Sequence, residues 1–233
     1  MKLGLLGSQI QHSLSPALYR EFLGESLESY ALFDCSSVAE IPKLTDLAQR
    51  LDGLSITAPY KTHFLPDVSF QDSVIEKLGG INCISFSDRF WATNTDYLAL
   101  KTLLPETLKK YPDHDIFLLG DGVMARITVT ILNDLRIDFH SLSRKIHGPL
   151  ENIDLQDKSS KPLLIINACS RKFIFQGRVP ADSVFWDYNY SFRSHSETLP
   201  DLFKTYIDGQ ELLRRQALAA ITFWRETNPK LKC

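Results

Sequence analysis

The chain has 233 residues, with 26 basic and 28 acidic side chains and a net charge of -2. Hydrophobic residues make up 44% and charged residues 23%, the proportions of an ordinary soluble globular protein with room for one large domain or two small ones. The charge balance excludes the basic footprint of a nucleic-acid binder, and no apolar run is long enough to span a membrane.

The start, Met1-Lys2-Leu3-Gly4-Leu5-Leu6-Gly7, reads as a buried first strand and not as a signal peptide, because Ser8, Gln9, Gln11 and His12 follow at once. The four cysteines, Cys35, Cys83, Cys169 and Cys233, are scattered. They have neither metal-ligand spacing nor the layout of a disulfide framework, so we expect a reduced, cytoplasmic protein without a metal.

In chain order, the patterning predicts a strand over residues 2–6, a helix over 16–23, a strand over 30–33 and a helix over 41–51. A strand over 54–57 and a helix over 72–78 follow. Residues 84–86 and 90–92, split by Ser87-Asp88-Arg89, form a hairpin. A helix over 97–110 leads to the polar, proline-bearing break Tyr111-Pro112-Asp113-His114-Asp115. Beyond it come strands over 116–119, 139–142, 163–167 and 184–186, a helix over 124–135 and an amphipathic helix over 209–227. Such alternation predicts an α/β fold of parallel sheets with crossover helices. The expected division is a first domain of residues 1–100 with 209–233 and a second of 101–208.

Several polar blocks stand out against this scaffold. Ser13 and Ser15 bracket Leu14 just before Pro16, a helix-start signal in which one hydroxyl can cap the helix and the other can meet a ligand. Leu54-Ser55-Ile56-Thr57 alternates as a strand with one open face would, and Lys61 sits just past the strand end, where α/β folds meet ligands. Asp96 closes Thr93-Asn94-Thr95-Asp96. Further on, Gly120-Asp121-Gly122 follows a strand and opens a helix, as a dinucleotide-binding turn does. Ser143-Arg144-Lys145 is a basic turn after the next strand, suited to a phosphate.

Taken together, Ser13-Leu14-Ser15-Pro16, Thr57-Ala58-Pro59-Tyr60-Lys61, Gly80-Ile81-Asn82, Asn94-Thr95-Asp96, Asp187-Tyr188-Asn189-Tyr190 and the run from Gly209 to Gln216 resemble, in order, the sequence blocks of shikimate dehydrogenases. The resemblance implies a two-domain fold, an N-terminal α/β substrate domain plus a Rossmann-like dinucleotide-binding domain. It implies an NADP-dependent oxidoreductase that reduces 3-dehydroshikimate to shikimate with Lys61 and Asp96 as the catalytic pair. Ser13 and Ser15 would hold the substrate carboxylate. Thr57, Asn82 and Gln216 would contact the ring hydroxyls or the carboxylate, and Tyr190 would lie against the substrate. Gly120, Gly122, Ser143, Arg144 and Asn167 would bind NADP, which is preferred to NAD because no acidic residue stands at the 139–142 strand end. The expected partner is the small-molecule substrate, with no nucleic acid and no membrane, and the assembly a monomer or homodimer.

The chain departs from the family's pattern mainly in the cofactor half. Val123 stands where the family usually has another glycine, Asp121 where it has a small residue, and Arg171 near an expected glycine after Asn167-Ala168-Cys169-Ser170. A carboxylate about 4 Å from a phosphate would repel it by about 4 kcal/mol at an effective dielectric near 20, unless Asp121 points away or caps the helix. In the substrate half Ser55 replaces the usual Asn. These departures leave open a non-catalytic ligand-binding paralogue, or a dehydrogenase acting on quinate or an amino analogue. His63 is expected on exposed helix surface, and Trp186 and Trp224 in the core.

Overall fold

The computed structural model describes residues 1–231, so Cys233 lies outside the described residues. The chain divides into two units: Met1–Ala99 with the described residues from Arg214 on, and Leu100–Leu213.

The first unit opens with β1 (Lys2–Gly7), α1 (Ser15–Leu23), β2 (Ser29–Asp34), α2 (Leu44–Ala48) and β3 (Gly53–Ile56). Then come β4 (Ser69–Phe70), α3 (Ser73–Leu78), β5 (Cys83–Phe86) and β6 (Phe90–Thr93), and α4 (Thr95–Leu108) begins there. The strands form one sheet in the order β2-β1-β3-β5-β6-β4. β1 pairs in parallel with β2 and β3, while β3–β5 and β5–β6 are antiparallel. The predicted hairpin is therefore present as β5–β6, and it turns the sheet from parallel to mixed.

Leu3, Leu6, Leu54 and Ile84 are fully buried, and Ile56 nearly so; burying a side chain of this size contributes about 1.5–3 kcal/mol. α2 is shorter than residues 41–51 predict. Pro42 holds the preceding Ile41 extended (φ -71°, ψ 123°), because the proline ring clashes with a helical residue before it.

The second unit contains β7 (Asp115–Leu119), α5 (Val123–Asp134), β8 (His140–Leu142), α6 (Arg144–His147), β9 (Leu163–Asn167), β10 (Val184–Asp187), α7 (Arg193–Ser196) and β11 (Thr205–Ile207). Its strands form an all-parallel sheet ordered β11-β10-β9-β7-β8. All five residues of β9 are buried, as a central parallel strand covered on both faces requires. One core cluster brings together Phe117, Leu163, Ile165, Phe173, Phe175, Phe185 and Phe203. α8 (Gln210–Thr227) closes the fold, and no helix of the described residues is long and apolar enough to cross a membrane. This is the expected α/β fold, with a substrate-type first unit and a Rossmann-type parallel sheet in the second.

From Arg214 onward α8 belongs to the first unit and is tied to it at several points. Arg214 makes two bonds to Glu21 (2.8 and 3.2 Å), and the Trp224 indole donates to Ile84 O (2.9 Å). A Cβ on Gly53 would come within 2.5 Å of the Trp224 ring, so only glycine lets the helix approach the sheet this closely.

Candidate active site

Lys61 is placed by its neighbours in sequence. Past β3 the chain turns at a cis Ala58-Pro59 bond. The next residue, Tyr60, is buried and donates its hydroxyl to Cys35 O (2.7 Å). Ile81 N donates to Lys61 O (2.8 Å) and fixes the backbone at the lysine itself. Asp96 is placed from the other side, in the first turn of α4.

Asn94, fully buried, caps that helix. Its Oδ1 accepts from Tyr97 N (3.1 Å) and its amide donates to Gly80 O (2.9 Å). A buried cap with both ends engaged satisfies helix-start donors that burial would otherwise leave unpaired. The two placements meet in a 2.6 Å bond from Lys61 Nζ to Asp96 Oδ2, with the side chains 17% and 7% exposed. This is a short, charge-assisted contact, little screened by solvent.

Asn82 stands beside the pair. Its Oδ1 accepts from Thr95 N (2.6 Å) and Thr95 Oγ1 (3.1 Å), and its Nδ2 donates to Gln216 Oε1 (3.4 Å). Lys61, Asp96, Asn82 and Gln216 thus come from a post-strand turn, two helices and a strand entry; Asn82 bonds Gln216 and Thr95, and Thr95 precedes Asp96 at the α4 start. Thr57, half-buried, lies just past β3 with its backbone N donating to Leu6 O (2.8 Å).

At the start of α1 the structure resolves which serine does what. Ser13 Oγ accepts from Ser15 N (3.2 Å), while the residue at the cap position is Leu14, with no side-chain cap. Ser13, not Ser15, closes the turn, and its hydroxyl proton and the half-buried Ser15 hydroxyl remain for a ligand. His63 sits half-buried in a turn, edge-on to Phe64 at 4.6 Å, where an exposed helix position was expected. Trp186 and Trp224 are both core residues.

In the second unit a cavity of about 200 Å³ is lined by Gly120, Asp121, Gly122, Arg144, Leu150 and the turn Ala168-Cys169-Ser170. Gly120 has φ +116°, and a Cβ there would lie 3.2 Å from the Ala168 carbonyl, so both its conformation and its closeness to the next turn require glycine. Gly122 is the cap residue of α5 and, as a glycine, brings no side chain to that position. A helix start following glycines beside such a cavity is the kind of place where an anion is favoured.

Asp121 is exposed, where a like charge at 4 Å costs nearer the roughly 1 kcal/mol of bulk water than the roughly 4 kcal/mol of a partly buried site. Val123 is the first residue of α5 and is not among the cavity-lining residues, so its branched side chain does not fill the space. Burial pushes the Cys169 thiol up to about 12, which keeps it neutral and leaves Asp121 the one acidic side chain lining the cavity.

Ser143 is buried at the cap of α6, with its backbone engaged by His147. Asn167 is fully buried, and its side chain is spent inside the fold: Nδ2 donates to Asp187 Oδ1 (3.0 Å) and Oδ1 accepts from Cys169 N (3.0 Å). It shapes the turn that lines the cavity.

Two features of this unit escape a sequence reading. Arg171 donates to Tyr190 O (2.6 Å) and Ser191 O (3.1 Å) and lies over the Tyr190 and Phe192 rings at 5.9 and 5.2 Å. It thereby holds the loop that carries Tyr190. Asp187, fully buried, accepts from Asn167, from the Asn189 backbone and side chain, and from His195 Nδ1 at 2.6 Å. Phe175 N donates to His195 Nε2 (3.0 Å), so Nδ1 is the nitrogen that carries the proton. Only the aromatic-rich neighbourhood of these residues in the sequence could have hinted at a buried polar network.

Comparison with known proteins agrees with this geometry. Residues 5–84 match the family description "Shikimate dehydrogenase substrate binding domain". The chain is 30% identical to the shikimate dehydrogenase of Sulfurisphaera tokodaii over 239 residues, 95% of this chain and 88% of that one. It is 30% identical to the shikimate dehydrogenase (NADP(+)) of Oceanobacillus iheyensis over 257 residues, 98% of this chain and 93% of that one. Among solved structures, the shikimate dehydrogenase of Aquifex aeolicus superposes with a TM-score of 0.74 at 20% identity, covering 98% of this chain and 94% of the other. The Thermus thermophilus shikimate 5-dehydrogenase, solved in complex with NADP(H) and shikimate, superposes at 0.72 and 19% identity with the same coverage. Identity of 30% across nearly the whole of two relatives, with the Lys61–Asp96 network assembled in the first unit, shows that the chain belongs to the shikimate dehydrogenase family of oxidoreductases.

Proposed function

We propose that this protein is an NADP-dependent shikimate dehydrogenase, reducing the ketone of 3-dehydroshikimate to the alcohol of shikimate. The observation that carries the reading is the 2.6 Å Lys61–Asp96 pair, held in place by Asn82 and the Asn94-capped start of α4.

Ketone reduction needs a hydride on carbon and a proton on oxygen. The Lys61 ammonium is the proton donor: one N–H bond breaks as the O–H bond of the product forms. Before transfer, its charge stabilises the negative charge that develops on the carbonyl oxygen. Asp96 holds the ammonium in one orientation and balances its charge in a site with little solvent. Ser13 and Ser15 offer hydroxyl donors to the substrate carboxylate, and Thr57, Asn82 and Gln216 supply the mixed donors and acceptors that ring hydroxyls require.

The residues of the second unit fit a dinucleotide phosphate. Gly120 keeps the turn thin, α5 starts beside the cavity at Gly122, and Arg144 adds a guanidinium to the same cavity. Such a cofactor, when bound, supplies the hydride. Asn167 would contribute through the turn it holds, and Ser143 through the cap of α6. Tyr190, expected against the substrate, is carried by the loop that Arg171 fixes.

Calorimetric titration of NADPH, with and without shikimate, tests the assignment. Binding in the micromolar range, about -8 kcal/mol, is the expected result. Shikimate binding with no binding of NADPH or NADH would overturn it and leave a ligand-binding member of the family.

A further inference from the structure

Ser55 departs from the family's usual Asn, and the structure shows what occupies its surroundings. β3 alternates, so Gly53, Ser55 and Thr57 share one face of the sheet. Tyr19 of α1 covers that face. It is 4% exposed, stacked on Tyr30 at 5.3 Å and tilted against Trp224 at 5.5 Å. A ring held on both sides cannot swing away, and its hydroxyl meets Ser55 Oγ at 3.4 Å. On the neighbouring strand Cys83 pairs with Ser55, and Asn82 O accepts from Ile56 N (2.8 Å). The Tyr19–Ser55 contact therefore sits one residue from Asn82 and two from Thr57, among the groups assigned to the substrate.

The hydrogen-bond count then points outward. Each hydroxyl has one proton and two acceptor sites. Whichever of the two donates, the other keeps its proton, and neither has a further partner among the described residues. At 3.4 Å the contact is well beyond the 2.7–2.8 Å usual for paired hydroxyls, so both retain capacity. With Tyr19 as the donor, the retained proton is that of Ser55, which is half-buried and can offer it to a ligand. Burial, with Tyr30 and Cys83 adding, pushes the Tyr19 phenol well above its usual value, so it stays a donor.

We propose that Tyr19 and Ser55 act as one recognition element for a ring hydroxyl of the substrate, taking over the part of the missing Asn. The inference rests on the dehydrogenase reading above. A secondary hydroxyl is the fitting ligand group because it can accept the retained proton and donate back to the remaining lone pairs. A carboxylate would use only the donor, and the Asp96 charge, which also acts on the Tyr19 hydroxyl, would oppose it. Tyr19 and Ser15 are four residues apart on α1, so the same helix would present a carboxylate donor and a hydroxyl reader on one face.

The test uses the full chain with Tyr19→Phe, Ser55→Ala and the double variant. Shikimate binding is measured by calorimetry, and KM and kcat for shikimate in the NADP-linked assay. Tyr19→Phe keeps the ring between Tyr30 and Trp224 and removes one oxygen. It is expected to weaken shikimate binding about tenfold, equivalent to about 1.4 kcal/mol, with a larger effect on KM than on kcat. Ser55→Ala should do the same, and the double variant should lose little more than either alone, because the two act as a unit. If Tyr19→Phe does not fold, Ser55→Ala reads the same element. Wild-type protein that binds shikimate while both single variants bind it equally well would overturn this inference alone. Wild-type protein that binds no shikimate would overturn the dehydrogenase reading and this inference with it.

Discussion

The two units treat their polar side chains differently. In the first, Lys61 bonds Asp96, and Asn82 bonds both Gln216 and Thr95, the chain neighbour of Asp96. In the second, Asn167, Asp187, Asn189 and His195 form a connected set, yet it is buried within the fold, and the cavity is lined by Gly120, Gly122, Leu150 and the turn Ala168-Cys169-Ser170 beside the two charged residues Asp121 and Arg144. A proton-donating site needs particular side chains at fixed distances. A phosphate cradle needs backbone amides and space, so its side chains are freer to vary. This accounts for why the blocks around Lys61 and Asp96 keep the family pattern while Asp121, Val123 and Arg171 do not.

The contrast can be broken most severely at Lys61. Lys61→Met removes the proton donor and its charge and should lower kcat by about 10³-fold, the middle of the range for a lost general acid, while NADPH binding stays near the wild-type value. Steady-state kinetics beside calorimetry read the two together; equal kcat would detach Lys61 from the chemistry.

Asp187→Asn probes the other side of the comparison. The substitution turns one acceptor oxygen into an NH2 that faces a donor in a fully buried, hydrogen-bonded set, which should cost about 2 kcal/mol of stability, seen as a lower denaturation midpoint at unchanged slope. An unchanged midpoint would mean the network contributes no more than an apolar core would.

Arg144→Ala should weaken NADPH about tenfold and NADH much less, because a guanidinium grips a phosphate as no other cavity residue can. Smallest is Asp121→Asn. For an exposed carboxylate near a phosphate the expected gain is about 1 kcal/mol, or about fivefold tighter NADPH binding. A hundredfold gain would mean that the carboxylate acts in a drier site than its exposure indicates.

How much of this was legible in the chain follows from the range over which each feature is built. Lys61 and Asp96 sit at the ends of local patterns, an alternating strand and a helix start, and local pattern is what a sequence displays. The central strands and long helices were legible for the same reason. α2 was overextended because the restriction that Pro42 imposes on Ile41 outweighs the apolar spacing around it. β4 and β11 are two and three residues long, too short to show a period.

Tyr19 was missed because its meaning depends on Ser55, thirty-six positions away. Arg171 and His195 were missed because their partners lie on other loops. The two serines were legible only as a pair: that Ser13 and not Ser15 closes the turn is a matter of backbone direction at Leu14.

The most direct measurement is a single-turnover reaction: excess protein mixed with NADPH and 3-dehydroshikimate, with NADPH absorbance followed in time. The account predicts that NADPH is consumed one-for-one with the ketone in the wild-type protein and about 10³-fold more slowly in Lys61→Met. NADPH that binds but is not consumed by the wild-type protein, or is consumed equally fast by Lys61→Met, would contradict the Lys61–Asp96 pair as the site of reduction.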